Sequence, residues 1–388
     1  MTRRLGRGIA SAACLTALAA AAGGCGSSAP APPASTPVTA SAMPLDSATT
    51  TAAGTWAAVV MGGSAAQHNN FWQLFVRPAG STRWTLVTPP GTADNGGLVL
   101  AGGVGQALIT AFRPSQYLTY TPLTQTSDSG HAWSALSPLD APLASTPDAL
   151  AVQPASGALL ALLSSGTAEQ GTPDGATWTT LVTARALAAT PAGQSCGLRA
   201  LTAVAYTPAG APLLAGTCSQ PGMAGIFEAA GHTWQAAGPA LPGALARQPV
   251  TVLRVSVTGN QITALLAAGS SQHTTLVTAW SADGSAGWTI SPPFSTGGPA
   301  VTAASLGPGQ TAAVITAGGR GAILATGHWQ ALPALPPATV ALAPDADGAV
   351  DALAVHRSTL TVWHLADEQG SWSTAQTISV PIQYGSSG

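Results

Sequence analysis

The sequence predicts an all-β protein, a seven-bladed β-propeller built of four-stranded antiparallel blades. Three observations predict this fold: tryptophan recurs just after a turn at steps of 41 to 56 residues, a glycine or asparagine turn precedes each of these tryptophans by 20 to 30 residues, and the apolar stretches between them have strand length without helical periodicity. A unit of this size cannot bury its own apolar face, so its copies have to pack against one another. The tryptophans are Trp84, Trp133, Trp178, Trp234, Trp288, Trp329 and Trp372.

Each repeated unit is expected to contain four strands, A to D, joined by hairpins. Because neighbouring strands run in opposite directions, the B-to-C and D-to-A connections emerge on one face of the disc, and the A-to-B and C-to-D turns emerge on the other. The first A strand, at about residues 46 to 52, is poor in apolar residues, so six or eight blades stay open as alternatives. The predicted A-to-B turns contain Gly54, Gly105, Gly157, Gly210, Asn260, Gly309 and Gly348.

The first 25 residues have the features of a bacterial export signal. Arginines near the N-terminus precede an apolar run from Ile9 to Ala22, and Ala22-Gly23-Gly24-Cys25 follows. This end resembles a bacterial lipobox, whose cysteine receives a diacylglycerol and becomes the new N-terminus. The resemblance implies a signal peptide at residues 1–24, lipidation at Cys25 and an anchor on the extracytoplasmic face of the cell membrane. An ordinary secretory leader with a chance cysteine is the alternative.

The next segment has the composition of a tether. Residues 26 to 37 consist of small residues and proline, with too little apolar bulk to fold. The sequence therefore predicts a lipid-anchored flexible linker at residues 25–45 and the propeller at residues 46–388.

Two cysteines remain in the folded region, Cys196 and Cys218. In an exported protein they are expected to form a disulfide, with two free buried thiols as the alternative. If residues 208 to 211 form a tight turn, Cys218 faces Leu201 across the hairpin, and residues 196 to 200 have to fold back to bring the sulfur atoms together.

The composition excludes a nucleic-acid partner and gives no sign of a cofactor. Charged residues make up 7% of the chain, lysine is absent and the formal net charge is −2, so no basic surface attracts a phosphate backbone. No zinc-ligand spacing or glycine-rich phosphate loop occurs. Asp345, Asp347 and Asp351 have part of the spacing of a calcium loop, but a third alternate ligand and the closing glutamate are missing, so a hairpin turn is favoured over a metal site.

One C-to-D turn matches a known motif. Residues 126 to 133, Thr-Ser-Asp-Ser-Gly-His-Ala-Trp, follow the Asp-box pattern Ser/Thr-x-Asp-x-Gly-x-x-Trp. From about residue 46 to its end the chain thus resembles the Asp-box (BNR, sialidase-like) β-propellers of actinobacterial lipoprotein type. The resemblance implies structural aspartates, glycines at positive φ and indoles between neighbouring blades. The residues concerned are Asp128, Gly130, Trp133, Asp174, Trp178, Asp283 and Trp288.

Resemblance to sialidases raises the possibility of a glycoside hydrolase. Such an enzyme places arginines on the substrate carboxylate and a glutamate-activated tyrosine as nucleophile. Arg113, in Phe112-Arg113-Pro114, precedes the matching Asp box as in that family, without the usual isoleucine. The strand prediction pairs none of the four tyrosines with a glutamate, so no catalytic residues are assigned and a sialidase-like hydrolase remains the alternative function.

Polar residues divide between the two predicted faces. Acidic residues concentrate in the A-to-B and C-to-D turns, at Asp128, Asp174, Asp283, Asp345, Asp347, Asp367 and Glu368. Basic and amide residues concentrate in the B-to-C loops, which predicts a polarised disc, although loops are polar in general. The candidate ligand-binding residues of the basic arc are His68, Asn70, Arg113, His273, Arg320, His356 and Arg357.

The functional hypothesis is a cell-surface lipoprotein that serves as a non-catalytic binding or assembly platform. Its expected partners are the membrane, through the lipid anchor, and an envelope glycan, protein or anionic ligand at the mouth of the central channel. A purely structural envelope protein is a further alternative.

Overall fold

The computed structural model describes the propeller region apart from several connections. The described residues are 39–40, 47–63, 70–90, 98–103, 108–112, 123–136, 143, 147–270, 273–282, 287–298, 300–367 and 370–381. The predicted signal peptide and Cys25 lie outside them, as does the linker apart from residues 39–40. Residues Pro37–Gly388 form one compact unit.

The described strands form seven antiparallel blades that follow one another along the chain. After β1 (Thr39–Ala40), blades 1 to 3 contain β2–β5 (Ser47–Thr51, Gly54–Gly62, Asn70–Pro78, Thr85–Leu86), β6–β9 (Leu98–Gly102, Leu108–Phe112, Leu123–Thr126, Ser134–Ala135) and β10–β13 (Ala149–Val152, Leu159–Leu162, Thr167–Gly171, Trp178–Thr183). Blades 4 and 5 contain β14–β17 (Leu198–Tyr206, Pro212–Cys218, Gly225–Ala230, Thr233–Ala236) and β18–β22 (Val250–Thr258, Gln261–Ser270, His273–Ser281, Thr289–Ile290, Phe294–Ser295). Blades 6 and 7 contain β23–β26 (Val301–Leu306, Ala312–Thr316, Gly321–Ala325, His328–Ala331) and β27–β30 (Thr339–Pro344, Val350–His356, Thr359–Leu365, Ser373–Ser379). Short pairings of β15 with β18 and of β2 with β23 join blade 4 to blade 5 and blade 1 to blade 6.

The seven blades close into a ring around their first strands. The A strands of successive blades contact one another, and β27 of blade 7 contacts β2 of blade 1. Each blade has four strands in sequence order, except that the D strand of blade 5 is divided into β21 and β22. The predicted all-β, seven-bladed propeller of four-stranded antiparallel blades is therefore confirmed, and the alternatives of six or eight blades are excluded.

An apolar cluster fills each interface between neighbouring blades. In the described part of the chain seven such clusters occur, one for each pair of neighbours around the ring. Each contains the recurring tryptophan of one blade packed against the preceding blade. The Trp133 and Trp288 indoles also donate hydrogen bonds across their interfaces, to the carbonyls of Val87 (2.9 Å) and Ala237 (2.7 Å). The repeated tryptophan thus holds neighbouring sheets together.

The turn of blade 2 that matches the Asp-box pattern in sequence is stabilised by hydrogen bonds within the turn. The Asp128 carboxylate accepts from the backbone N–H of Ala132 (2.9 Å) and from the Thr126 hydroxyl (2.8 Å). These bonds, the first above all, lower the pKa of Asp128. Gly130 has a φ of 85° and lies against the Val87 side chain. The aspartate therefore shapes the turn that directs Trp133 into the interface.

The shorter turn of blade 3 uses the same chemistry with one residue fewer. Asp174 accepts from the Thr172 hydroxyl and the backbone N–H of Ala176, which lowers its pKa, and the Trp178 indole donates to Gly175 within the turn. The turn that contains Asp283 lies outside the described residues, whereas Trp288 packs in the interface between blades 4 and 5.

Two short helices, which the sequence analysis did not predict, connect blades 3 and 4. They are α1 (Ala184–Ala189), capped by the Thr183 hydroxyl, and α2 (Pro191–Cys196), capped by Thr190. Each helix has six residues, too few to produce a helical period in the sequence. Short 3-10 segments occur at Gly243–Arg247 and Pro308–Gln310.

Cys196 and Cys218 form a disulfide that ties the end of α2 to β15. Their Cα atoms lie 5.3 Å apart. The expected register was wrong: Cys218 faces Leu198, and Leu201 faces Gly216, because bulges interrupt the pairing of β14 with β15. Gly197, in the left-handed conformation (φ 63°), ends α2 and turns the chain into β14.

The fit of Gly130 against blade 1 predicts a position-specific effect of adding one methyl group. In Gly130→Ala the new Cβ would lie 2.5 Å from Cβ of Val87, whereas in Gly231→Ala, also at positive φ (61°), it would meet no atom within 4 Å. Both changes strain the backbone by about 1 kcal/mol, and overpacking adds about 1 to 3 kcal/mol at Gly130 only. Denaturant unfolding should therefore show a clearly greater loss for Gly130→Ala. Equal losses would mean that the turn does not pack on blade 1 in this way.

Candidate functional site

A cleft of about 580 Å³ lies where the last blade meets the first. It opens on the face that contains the A-to-B and C-to-D turns, which we call the turn face; the opposite face, with the B-to-C and D-to-A connections, is the connection face. Four turns, two from each of blades 1 and 7, form its walls. Its lining residues are Thr50, Thr51, Gly54, Thr55, Arg77, Pro78, Ala79, Gly80, Ser81, Thr82, Asp345, Asp347, Ala349, Asp351, His364, Ala366, Ser373 and Ala375.

Arg77 occupies the floor of the cleft and bridges the two blades. It lies at the end of β4 in blade 1, and its side chain is 10% exposed. Its guanidinium binds both oxygens of Asp345 and also Oδ2 of Asp351, at 3.0 Å, in blade 7. It also lies over the Trp84 ring, 5.6 Å from the ring centre. One buried cation therefore pairs with two carboxylates of the neighbouring blade.

Asp351 is the acceptor that joins this network. Its side chain is 4% exposed, and it accepts from Arg77, from the Trp84 indole (2.8 Å) and from Nδ1 of His364 (2.8 Å). A buried carboxylate needs this number of donors to offset its loss of hydration. Its oxygens are occupied by structural partners, which does not suit it to serve as a proton acceptor for a substrate.

Gln376 forms hydrogen bonds with both backbone polar groups of Trp84. Its side-chain oxygen accepts from the N–H of Trp84, and its side-chain nitrogen donates to the carbonyl of Trp84, each at 2.9 Å. On the connection face, the N–H of Gly62 donates to the carbonyl of Arg357 at 2.7 Å. Blades 1 and 7 are thus joined by hydrogen bonds near both faces.

The His364 ring is the most exposed ionisable group of this network, at 38% of its side-chain surface. Its pairing with Asp351 has the form of the orienting half of a nucleophilic triad. The hydroxyl of Ser373, however, donates to the backbone carbonyl of His364 at 3.3 Å, not to its ring. The described geometry therefore supplies an orienting pair without an aligned nucleophile.

The loop with alternating aspartates is a hairpin turn between β27 and β28. Asp345 and Ala349 pair through their backbones, and Asp347 accepts from the N–H of Ala349 at 3.1 Å. Within the described ranges no group of three or more His, Cys, Asp or Glu side chains is arranged to hold a metal ion. Asp347 itself is exposed and forms part of the cleft wall.

The structure describes four of the predicted ligand-binding residues, all exposed on the connection face. His356 and Arg357 share a turn of blade 7, whereas His273 and Arg320 lie in turns of blades 5 and 6. Arg320 donates to the carbonyl of Gly297 at 3.0 Å. Asn70 begins β4, and its side chain is not described. His68 and Arg113 lie outside the described residues.

Sequence reasoning missed further arginines on the same face. Arg185, Arg199 and Arg247 are exposed in or beside the D-to-A connections that enter blades 4 and 5. The topology rule used for the sequence places D-to-A connections on the face of the B-to-C loops, so these arginines could have been found by including both kinds of connection. The partners of Arg77 could not have been found from the sequence, because Asp345 and Asp351 lie 268 and 274 residues away from it in the chain.

Tyr206 is a core residue. It packs between blades 3 and 4, and its hydroxyl donates to the carbonyl of Leu159 at 3.1 Å. Burial raises the pKa of Tyr206 to about 12. This environment does not suit a nucleophile, which needs access to substrate and an activating base. Tyr117, Tyr120 and Tyr384 lie outside the described residues.

Comparison with known proteins found structural likeness only. No protein-family model matches the chain, and no curated protein matches it. YCF48 from Cyanidioschyzon merolae shows 13% identity over 81% of this chain and 90% of that chain, with a TM-score of 0.44. A Lactobacillus plantarum protein shows 13% identity over 84% and 96%, with a TM-score of 0.47. The fucose-recognising lectin of Aleuria aurantia, a six-bladed β-propeller, shows 14% identity over 76% and 100%, with a TM-score of 0.40. Likeness at this level supports no functional argument, and the fold rests on the strand pairing of the chain itself.

None of the helices in the described ranges is long and apolar enough to cross a membrane.

The network at the cleft floor predicts unequal effects of removing two arginines of blade 1. Arg77→Met leaves the carboxylates of Asp345 and Asp351 without their cation, which is expected to lower the free energy of unfolding by about 3 kcal/mol. Arg83→Met, at an exposed position near the same face, should change it by less than about 0.5 kcal/mol. Urea unfolding monitored by tryptophan fluorescence measures both. Similar values for the two variants would contradict the assigned role of Arg77.

Proposed function

We propose that the protein is a lipid-anchored protein of the bacterial cell surface that acts as a non-catalytic binding platform, with the cleft between blades 1 and 7 as its ligand site. The observation that supports this proposal most strongly is the cleft itself. It combines a volume of about 580 Å³ with several polar groups that converge from four turns. Its most buried charged groups bind one another, so they hold the shape of the site and are not available for proton transfer.

The composition of the cleft favours neutral or cationic polar ligands. Its walls contain the hydroxyls of Thr50, Thr51, Thr55, Ser81, Thr82 and Ser373. Asp345, Asp347 and Asp351 outnumber the one cation, Arg77, which leaves a formal charge of −2 with His364 neutral. Such a lining suits the hydroxyls of an envelope glycan, which exchange hydrogen bonds with protein hydroxyls and carboxylates, and it disfavours anionic groups.

The anchor is proposed from the lipobox-like sequence at Ala22-Gly23-Gly24-Cys25. Detergent phase partitioning tests it: wild-type protein from a bacterial host should enter the detergent phase, and Cys25→Ala should stay in the aqueous phase, because acyl chains and not the propeller provide the affinity for lipid. Equal partitioning of both proteins into water would exclude lipidation.

Ligand binding at the cleft predicts sensitivity to a charge change at Asp347. Asp347→Lys is expected to weaken binding to uncharged envelope glycans on an array at least tenfold, because it replaces an acceptor in the wall with a bulky cation. Ala209→Lys, at an exposed turn of blade 4 on the same face, is the control and should bind as wild type does. Loss of binding in both variants would indicate a non-specific charge effect, and no loss in Asp347→Lys would exclude the cleft.

A further inference from the structure

We propose that the connection face of the propeller docks on an anionic phospholipid surface, so that the cleft on the turn face points away from the membrane. The inference assigns a lipid partner to the basic face. It rests on the proposed lipid anchor for its biological setting and for the argument from the position of β1, whereas the charge distribution supports it independently.

The two faces carry opposite formal charges. Among the described residues, the connection face has five exposed arginines and one acid, the half-buried Asp148. The turn face has six acids and two arginines. These counts leave +4 on one face and −4 on the other. Arg113, Asp46, Asp94 and Asp140 lie outside the described residues; adding these four charges by sequence to the described +4 gives a formal sum of +2.

The basic groups are spread over the face and do not converge on one pocket. They come from the connections into blades 4 and 5, from the start of β14 and from turns of blades 6 and 7. A broad, shallow distribution of this kind matches a planar array of phosphates better than one compact anion, which needs donors converging on one point. The five residues are Arg185, Arg199, Arg247, Arg320 and Arg357.

The N-terminal strand β1 starts near the same face. β1 runs parallel to β14, with Thr39 opposite Ala200 and Ala40 opposite Leu201. Because β14 starts at the D-to-A connection and β1 runs parallel to it, Thr39 lies at the end of β1 that is nearer the connection face. Thr39 follows Cys25 by 14 positions, which at full extension span about 50 Å. A lipid at Cys25 would therefore be tethered to a strand that starts near the basic face.

The two attachments reinforce each other physically. A tether keeps the local lipid concentration high, and the electrostatic attraction acts within about 10 Å of the surface at moderate salt. The acidic turn face is repelled by the same lipids, so the orientation with the cleft outward is favoured. In this orientation the cleft is accessible to ligands outside the cell.

The test uses the chain from Gly26 onward, which lacks the leader and the lipidated cysteine but contains the whole compact unit Pro37–Gly388. It is mixed with vesicles of equal parts phosphatidylglycerol and phosphatidylcholine, or of phosphatidylcholine alone, and bound protein is measured by flotation. We expect binding to the anionic vesicles only, and weakening as the salt concentration rises.

Matched arginine variants locate the contact. The triple variant Arg185→Gln, Arg247→Gln, Arg357→Gln should weaken binding on the order of 100-fold, or about fivefold for each arginine removed from the surface. Arg83→Gln removes an exposed arginine near the turn face and should leave the affinity unchanged. Equal binding by wild type and the triple variant would overturn the proposal, as would the absence of binding to anionic vesicles.

Site-specific fluorescence gives the orientation. A solvent-sensitive dye is attached through Ala317→Cys on the connection face or through Ala346→Cys on the turn face, both at exposed positions. Anionic vesicles should shift the emission of the first conjugate only. A shift of the second alone, or equal shifts of both, would contradict the assigned orientation.

A soluble anionic polymer is the competing partner. If polyphosphate at the same phosphate concentration binds as tightly as the vesicles and displaces them, the face recognises a soluble polyanion and the lipid assignment is wrong. Since the chain from Gly26 onward has no lipid, these results do not depend on the anchor. If it binds anionic vesicles but the wild-type protein fails to enter the detergent phase, the proposed anchor is wrong and the membrane-docking inference stands. If the wild-type protein enters the detergent phase but the chain from Gly26 onward does not bind vesicles, the anchor stands and the docking inference is wrong.

Discussion

The ring depends on the contact between its first and last blades. The other interfaces between neighbouring blades join blades that follow directly in the chain, whereas blades 1 and 7 meet from opposite ends of the sequence, with no strand from one completing the sheet of the other. Blade 1 is also tied to blade 6, because β2 pairs in parallel with β23 at Thr49 and Leu306. Arg77 and Asp351 connect these blades across 274 residues, and Gln376 holds Trp84 across 292. Closing so long a loop costs conformational entropy, which the apolar cluster and these polar contacts together have to offset. The same contacts form the floor of the cleft, so ring closure and the candidate ligand site share side chains.

The sequence was sufficient to predict the architecture because the packing is repetitive. The tryptophan of each blade packs against the preceding blade in the same way. Because this packing role is the same in every blade, the tryptophans recur at a similar spacing along the sequence. The turn at residues 126–130 was predictable for a similar reason, since Thr126, Asp128 and Gly130 form hydrogen bonds with one another within five residues. Trp329 and Trp372 keep the pattern even though their indole nitrogens are buried without a hydrogen-bond partner in the described structure, which shows that packing alone fixes the position of the indole.

The site was less predictable because it depends on contacts that occur once. Asp345 and Asp351 were considered as calcium ligands or turn residues, and nothing near them in the sequence identifies Arg77 as their partner. Helices α1 and α2 were missed because their length hides any period, and the bulges of β14 changed the register beside Cys218. The polarity of the two faces, by contrast, followed from strand topology. The structure extends the basic face to Arg185, Arg199 and Arg247 and shows that Arg77 neutralises part of the acidic one.

The proposed ligand cleft, the charge difference between the two faces and the proposed lipid tether are compatible with one orientation. In it the cleft points away from the membrane and the basic connection face lies toward the lipid. All of it presupposes that specific side chains, and not apolar packing alone, close the ring. A double-mutant cycle measures this most directly, with unfolding free energies of wild type, Arg77→Met, Asp351→Leu and the double variant. We predict a coupling energy of about 1.5 kcal/mol or more. Arg77→Met leaves two carboxylates, Asp345 and Asp351, without their cation, whereas the double variant leaves only Asp345, so the double variant should lose less stability than the sum of the two single variants. Effects that add to within about 0.5 kcal/mol would contradict a closing role for this pair.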